Sequence, residues 1–303
     1  MKRESPLKFL GKAGVAKEVI KYIPNDIDRM VSPFLGGGII EMMLADTGVE
    51  VLGYDGDELL ANWWQQWKLY PDRIADDVLS RMLPGSALSK KLKKTTTGLF
   101  VPPEYFKDNK GRTDYPDPYT AAVNYWLMNR ATMRGGDYKT GWFMQCYKVD
   151  SRNNIFKKIR KGCPEKLSIV HQDWETTLRS HPDEFMFIDP PYSGLNNEKN
   201  PDFKWAGHNG HGLPKTGKWK DTWPGHAAFY GTDGFLSKDF ERLHTDLRDH
   251  LYHRSNWIMC NYDHPETHRI YADFPRKLLG AGVKKKSTGR SHELLVFPRG
   301  AKL

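Results

Sequence analysis

Cysteine is scarce in this 303-residue chain: Cys146, Cys163 and Cys260 are the only three, and none stands in a C-x-x-C pair. That argues against a disulfide framework or a thiolate zinc site and points to a reducing, cytoplasmic setting. Long apolar runs are missing as well. No stretch approaches the ~18 residues of a membrane span, and Met1-Lys2-Arg3-Glu4 leads into no signal-type apolar core, so the chain reads as soluble and unexported. No internal repeat is visible. Acidic residues are in deficit, 37 Asp plus Glu against 46 Lys plus Arg, and the resulting net charge of +9 suggests a polyanionic partner. With 39% hydrophobic residues and this length, one large domain or two modest ones can bury a full core without staples.

Hydrophobic spacing divides the chain into an interrupted α/β pattern. Val15, Val19, Ile20 and Ile23 predict an opening helix over 12–23, stopped by Pro24. A strand at 29–32 meets Pro33-Phe34-Leu35-Gly36-Gly37-Gly38 and then a buried helix from Ile39, which is half of a βαβ unit. Another strand (49–54) ends at Asp55 and runs into a helix over 58–69 carrying Trp63, Trp64 and Trp67, which reads as packing. From 71 to 164 the pattern lapses into a mainly helical, loop-rich module with one clear helix at 120–132. Strands at 167–170 and 184–188 resume it, and a helix at 238–251 with strands at 257–261 and 293–297 completes it. The fold class is therefore α/β, with a catalytic domain of residues 1–70 and 165–303 interrupted by a second module. Residues 193–228 are too long for an ordinary connection and form a possible flap.

Two motifs carry chemistry. Glycines between a strand and a helix let backbone N–H groups approach a ligand that a Cβ would block, with Gly36 and Gly38 as contacts. Asp55 follows Gly36 by 19 positions, the spacing at which a carboxylate accepts from a ribose, so the pair suggests an adenosine-containing cofactor. Glu41 stands where a third glycine would be, which disfavours NAD or FAD; a tight turn without ligand accounts for the glycines equally well. Asp189-Pro190-Pro191-Tyr192 is more specific. An exocyclic amino nitrogen is a poor nucleophile until acceptors draw its N–H groups; Asp189 and the Pro190 carbonyl supply two, the prolines fix φ, and Tyr192 offers a stacking face for an extruded base.

With both motifs in place the sequence resembles the N6-adenine DNA methyltransferases of the Dam (D12) class, in the α-group order of parts. The resemblance rests on Lys8-Phe9-Leu10-Gly11-Lys12, Pro33 to Gly38, Asp55, Asn129-Arg130, Gln172-Asp173-Trp174, Asp189 to Tyr192 and Asn261-Tyr262-Asp263. It implies a Rossmann-like S-adenosylmethionine-dependent sheet with an inserted target-recognition domain at 71–164. It also implies residue roles. Phe9 and Lys12 border the methionine end of S-adenosylmethionine; Pro33, Phe34, Gly36 and Gly38 form its loop. Asp55 takes the ribose, Asp173 the adenine edge, and Asp189, Pro190, Pro191 and Tyr192 the flipped base. Gly11 alone precedes Lys12 where the family usually has two glycines, and Phe9 replaces a common tryptophan. Asp rather than Ser at position 189 argues against cytosine N4, and the intact Asp189 to Tyr192 and Asp55 against a catalytically silent DNA-binding protein.

Double-stranded DNA is the implied partner, bound by a monomer or weak dimer. Arg130 and Arg134 beside Gly135-Gly136, with Lys139, Lys148, Arg152, Asn153 and Lys158, mix phosphate-seeking cations with an amide that can read a base edge. Three clusters account for much of the positive charge: Lys90 to Lys94, Lys157 to Lys161, and Lys284 to Lys286 near Arg290. For the last, a phosphate clamp and a solvated loop are equally good accounts. His208, His211 and His226 fit no zinc spacing, so no metal is assigned; with Trp205, Trp219 and Trp223 they belong to a cationic, aromatic segment.

Overall fold

The computed structural model describes residues 5–7, 12–85, 87, 98–132, 147, 154–191, 237–263, 265–279 and 293–302. The expected opening helix is shorter than its spacing suggests. Lys12–Gly14 is a 3-10 turn, followed by the five-residue α1 (Ala16–Ile20). Tyr22 and Ile23 then donate to carbonyls three residues back, because the residue before Pro24 is driven from the helical region. The chain divides into two compact units: Met1–Ala13 with Pro24–Met186, and Gly14–Ile23 with Phe187–Leu303.

The first unit is built on parallel strands in the order β5-β2-β1-β6: β1 (Arg29–Ser32), β2 (Glu50–Asp55), β5 (Leu167–His171) and β6 (Phe185–Ile188). After β1, α2 (Ile39–Ala45) is buried at six of its seven positions, as expected of a helix apolar all round. Asp57 caps α3 (Glu58–Leu69) by accepting the Leu60 N–H at 3.1 Å. Trp63, Trp64 and Trp67 on α3 are all buried, with Trp63 stacked on Trp67 at 5.2 Å, which confirms their packing role.

The described helices between 71 and 160 lie in this same unit. Pro71 occupies the first turn of α4 (Pro71–Ser80), a helix that its polar sequence did not announce. A short antiparallel ribbon, β3 (Leu83–Pro84) with β4 (Leu99–Phe100), precedes α5 (Pro103–Asn109). Asp117 caps α6 (Pro118–Ala131), which is buried from Ala121 to Ala131 and packs along α3. Asn154 caps α7 (Ile155–Arg160), and the Trp67 indole donates to the Ile159 carbonyl at 2.7 Å, tying α7 to α3. Asp173 caps α8 (Trp174–Ser180).

In the second unit, Phe187 and Ile188 of β6 begin the order β6-β7-β9-β8, formed with β7 (Trp257–Tyr262), β8 (Arg276–Leu279) and β9 (Glu293–Val296). β9 runs antiparallel to both neighbours, Cys260 opposite Leu295 on one side and Lys277 opposite Leu295 on the other. α9 (Ser237–Leu251) buries a seam of His244, Leu247 and Leu251, and α10 (Pro265–Ile270) follows β7. Among the described residues no helix is long and apolar enough to cross a membrane.

Candidate active site

Three strand ends in the first unit bring the expected cofactor residues to one edge. β1, β2 and β5 run parallel, with Asp55 in register with His171, so Asp55 ends β2 and Pro33–Gly38 and Asp173 follow the carboxyl ends of β1 and β5. The Leu35 N–H donates to the Tyr54 carbonyl at 2.8 Å, drawing the loop onto β2. Asp55 then takes the Gly36 N–H on Oδ2 at 2.9 Å and the Asp57 N–H on Oδ1 at 3.0 Å. Desolvation pushes its carboxyl up to about 6, against the pull of those N–H bonds.

The two glycines differ in why they are glycine. Gly36 has φ +49° and open space where a Cβ would stand, so its backbone is approachable. Gly38 has φ +59°, but a Cβ there would lie 2.7 Å from Trp64 Cζ2. The expectation that Gly38 meets a ligand is therefore corrected: tight tryptophan packing requires it. Trp64 also donates to the Gly36 carbonyl at 3.1 Å. Glu41, in the place of the missing third glycine, is buried and accepts from the Ser32 hydroxyl at 2.7 Å.

Pro33 is buried, while Phe34 is half-buried and stacks on Trp174 with centroids 6.3 Å apart. Beside it Asp173 is exposed; hydrogen bonds from the Thr176 side chain and backbone hold its carboxyl below the usual range. Lys12 is buried in the opening 3-10 turn. Phe9 lies outside the described residues.

In the second unit Asp189-Pro190-Pro191 leaves the end of β6; Tyr192 lies outside the described residues. The Pro191 carbonyl accepts from His244 Nε2 at 3.1 Å. His244 is fully buried on α9, its Nδ1 2.9 Å from the Tyr271 hydroxyl and 3.4 Å from the Asn261 amide. Desolvation pushes its imidazole down to about 4, opposed by the Pro191 carbonyl, and burial raises the Tyr271 hydroxyl well above its ordinary value. Neither residue was singled out from sequence, although His244 shares the seam spacing of Leu247 and Leu251.

A strand-loop-helix cofactor edge and a D-P-P turn on the same chain agree with what a comparison with known families finds. The model of the D12 class N6 adenine-specific DNA methyltransferases matches residues 11–203, well over half of the chain. The chain belongs to this family. No curated protein matches it. As a D12-class methyltransferase it methylates adenine N6 in DNA, with S-adenosylmethionine as the methyl donor. The first unit's residues fit that donor: a carboxylate at a strand end, open space beside Gly36, and an aromatic face at Phe34 beside an exposed Asp173.

The methyltransferase's expected DNA contacts fare unevenly. Arg130 was expected to face DNA, but it is buried: its guanidinium donates to the Pro6 carbonyl and lies against the rings of Trp126 and Tyr147, at 5.4 and 5.7 Å. In that position it holds the N-terminal segment against α6. Lys158 is half-buried on α7. In the same basic run Arg160 is bound by Asp76 at 2.5 Å and Asp72 at 3.4 Å, so its charge is spent on α4. Arg134, Lys139, Lys148, Arg152, Asn153 and Arg290 lie outside the described residues, as do Lys90 to Lys94, Lys284 to Lys286 and 193–228.

Proposed function

We propose that this D12-class enzyme works on an adenine turned out of duplex DNA, with Asp189, Pro190, Pro191 and Tyr192 receiving the base. One observation carries the proposal. β6 pairs in parallel with β1, Met30 with Phe185 and Val31 with Met186, and Asp189 directly follows its carboxyl end. Ligands of open α/β sheets bind beyond such ends.

S-adenosylmethionine, held by Lys12, Pro33, Phe34, Gly36, Asp55 and Asp173 with Phe9, supplies a methyl group already activated by its sulfonium. The chain's own residues then have three tasks. Asp189 and the Pro190 carbonyl accept the two N6–H groups and orient the nitrogen lone pair. Tyr192 stacks on the base in place of its lost neighbours. Asp189 takes the amine proton late, because that proton becomes acidic only as the nitrogen gains its methyl group. No strong base is required, and positioning provides most of the effect.

Residues 71–164 act as the target-recognition insert, with Arg134, Lys139, Lys148, Arg152, Asn153 and Lys158 on the duplex and Arg290 on a flanking phosphate. The enzyme acts as a monomer or weak dimer at cytoplasmic DNA. Two variants test the base site. Asp189→Ala is expected to lower methyl transfer at least ~100-fold while cofactor binding by calorimetry stays unchanged; near-normal turnover removes its role. Tyr192→Ala is expected to weaken base capture, followed with a 2-aminopurine target, more than cofactor binding. Equal loss of both counts against stacking.

A further inference from the structure

Two consecutive prolines fix two φ angles but leave ψ free, so the Asp189-Pro190-Pro191 turn needs a partner outside itself to hold its last carbonyl. The Pro191 carbonyl closes the Asp189-Pro190-Pro191 turn, so fixing that oxygen fixes the peptide plane at the end of the turn. The group on that oxygen is His244 Nε2, at 3.1 Å. A carbonyl only accepts, so Nε2 carries the proton. Nδ1 of the neutral ring is then an acceptor, and the Tyr271 hydroxyl stands 2.9 Å from it. Tyr271 thereby selects the tautomer that donates to Pro191, and its ring lies edge-on to the imidazole at 5.8 Å. His244 is fully buried, so its geometry is set by packing and not by solvent. It lies 53 positions from Pro191, too far for a local turn to account for the bond.

We infer that His244 is a positioning residue for methyl transfer: held in its Nε2–H tautomer by Tyr271, it fixes the Pro191 carbonyl and so the Asp189-Pro190-Pro191 turn that offers its acceptors to the base. This rests on the base site proposed above. His244 acts through the turn, as its bond to Pro191 requires.

The test compares His244→Phe, which keeps a ring but loses the donor, with His244→Gln, whose amide can still donate toward Pro191. In the first variant the Tyr271 hydroxyl retains the backbone carbonyl of residue 244, at 3.2 Å, so the pocket keeps a partner for it. Both proteins, checked for native circular dichroism, are assayed on duplex carrying the wild-type target. His244→Phe is expected to lose about tenfold in kcat, with a matching loss of 2-aminopurine signal and an unchanged KM for S-adenosylmethionine. His244→Gln is expected to recover to within about threefold of wild type. Equal kcat in the two variants, whether both normal or both low, overturns the inference. A rise in KM for the donor that matches the fall in kcat also overturns it. If the wild-type protein itself methylates no DNA, the base-site reading falls first, and the positioning role falls with it.

Discussion

Gly36 is held by a carboxylate and Pro191 by an imidazole. After β1, Asp55 gathers two backbone N–H groups, from Gly36 and Asp57, one on each oxygen. After β6, His244 gives one N–H to one carbonyl. The capacities left over differ. A carboxylate has about four acceptor sites, so Asp55 can brace its loop and still accept from ribose hydroxyls. His244 has a single Nε2 proton and commits it to Pro191, so it can position but cannot also bind. The same physical cause, desolvation of the charged form, pushes Asp55 up to about 6 and His244 down to about 4. Near neutral pH the first is therefore an anion and the second a neutral donor.

The largest effect that could break this contrast is the acid sensitivity of His244. Its folded value, about 4, lies below its ordinary 6.5, so between these the unfolded chain binds a proton that the folded one does not. Stability from this group is complete above pH 6.5, falls as the pH drops, and levels off near pH 4 after a loss of roughly 3 kcal/mol. Urea denaturation at a series of pH values should show this slope in the wild type and a flatter one in His244→Phe. Identical slopes would place the imidazole in solvent and end the comparison.

The next effect divides the two glycines of the first loop. Gly38→Ala meets Trp64 as well as a positive φ, and is expected to cost about 2 kcal/mol or more. Gly36→Ala meets only the strained φ and should cost about 1 kcal/mol, with its main loss in cofactor affinity. Thermal melts with and without S-adenosylmethionine separate the two outcomes.

The smallest concerns Asp55. Hydroxyl donors favour its ionised form, so cofactor affinity should weaken as pH falls through about 6, approaching tenfold at one unit below. Titration calorimetry should show this dependence in the wild type, and Asp55→Asn should remove it.

Much of the α/β frame was legible because its strands and α3 carry unbroken periodicity and end in recognisable turns. Candidate site residues could be placed where a single short run ends a strand, as Asp55 ends β2 and Asp189 follows β6. What the sequence hid depends on distant partners. Gly38 faces Trp64, 26 positions on, and nothing local separates a ligand-facing glycine from one excluded by an indole. Arg130 reads as a surface cation until Pro6, Trp126 and Tyr147 are found around it. Its charge said DNA; its neighbours say packing. α4 went unnoticed because Asp72, Arg73, Asp76 and Asp77 mask the buried Ile74, Ala75 and Val78. His244 had a readable signal, a titratable side chain in line with Leu247 and Leu251, but the carbonyl it serves is 53 residues away.

The most direct test of the whole account is long-read methylation mapping of DNA from cells that lack other methyltransferases and express this chain. The account predicts N6-methyladenine confined to one sequence context, absent when Asp189→Ala is expressed at the same level. N4-methylcytosine, or no modified base from a folded protein, would contradict it.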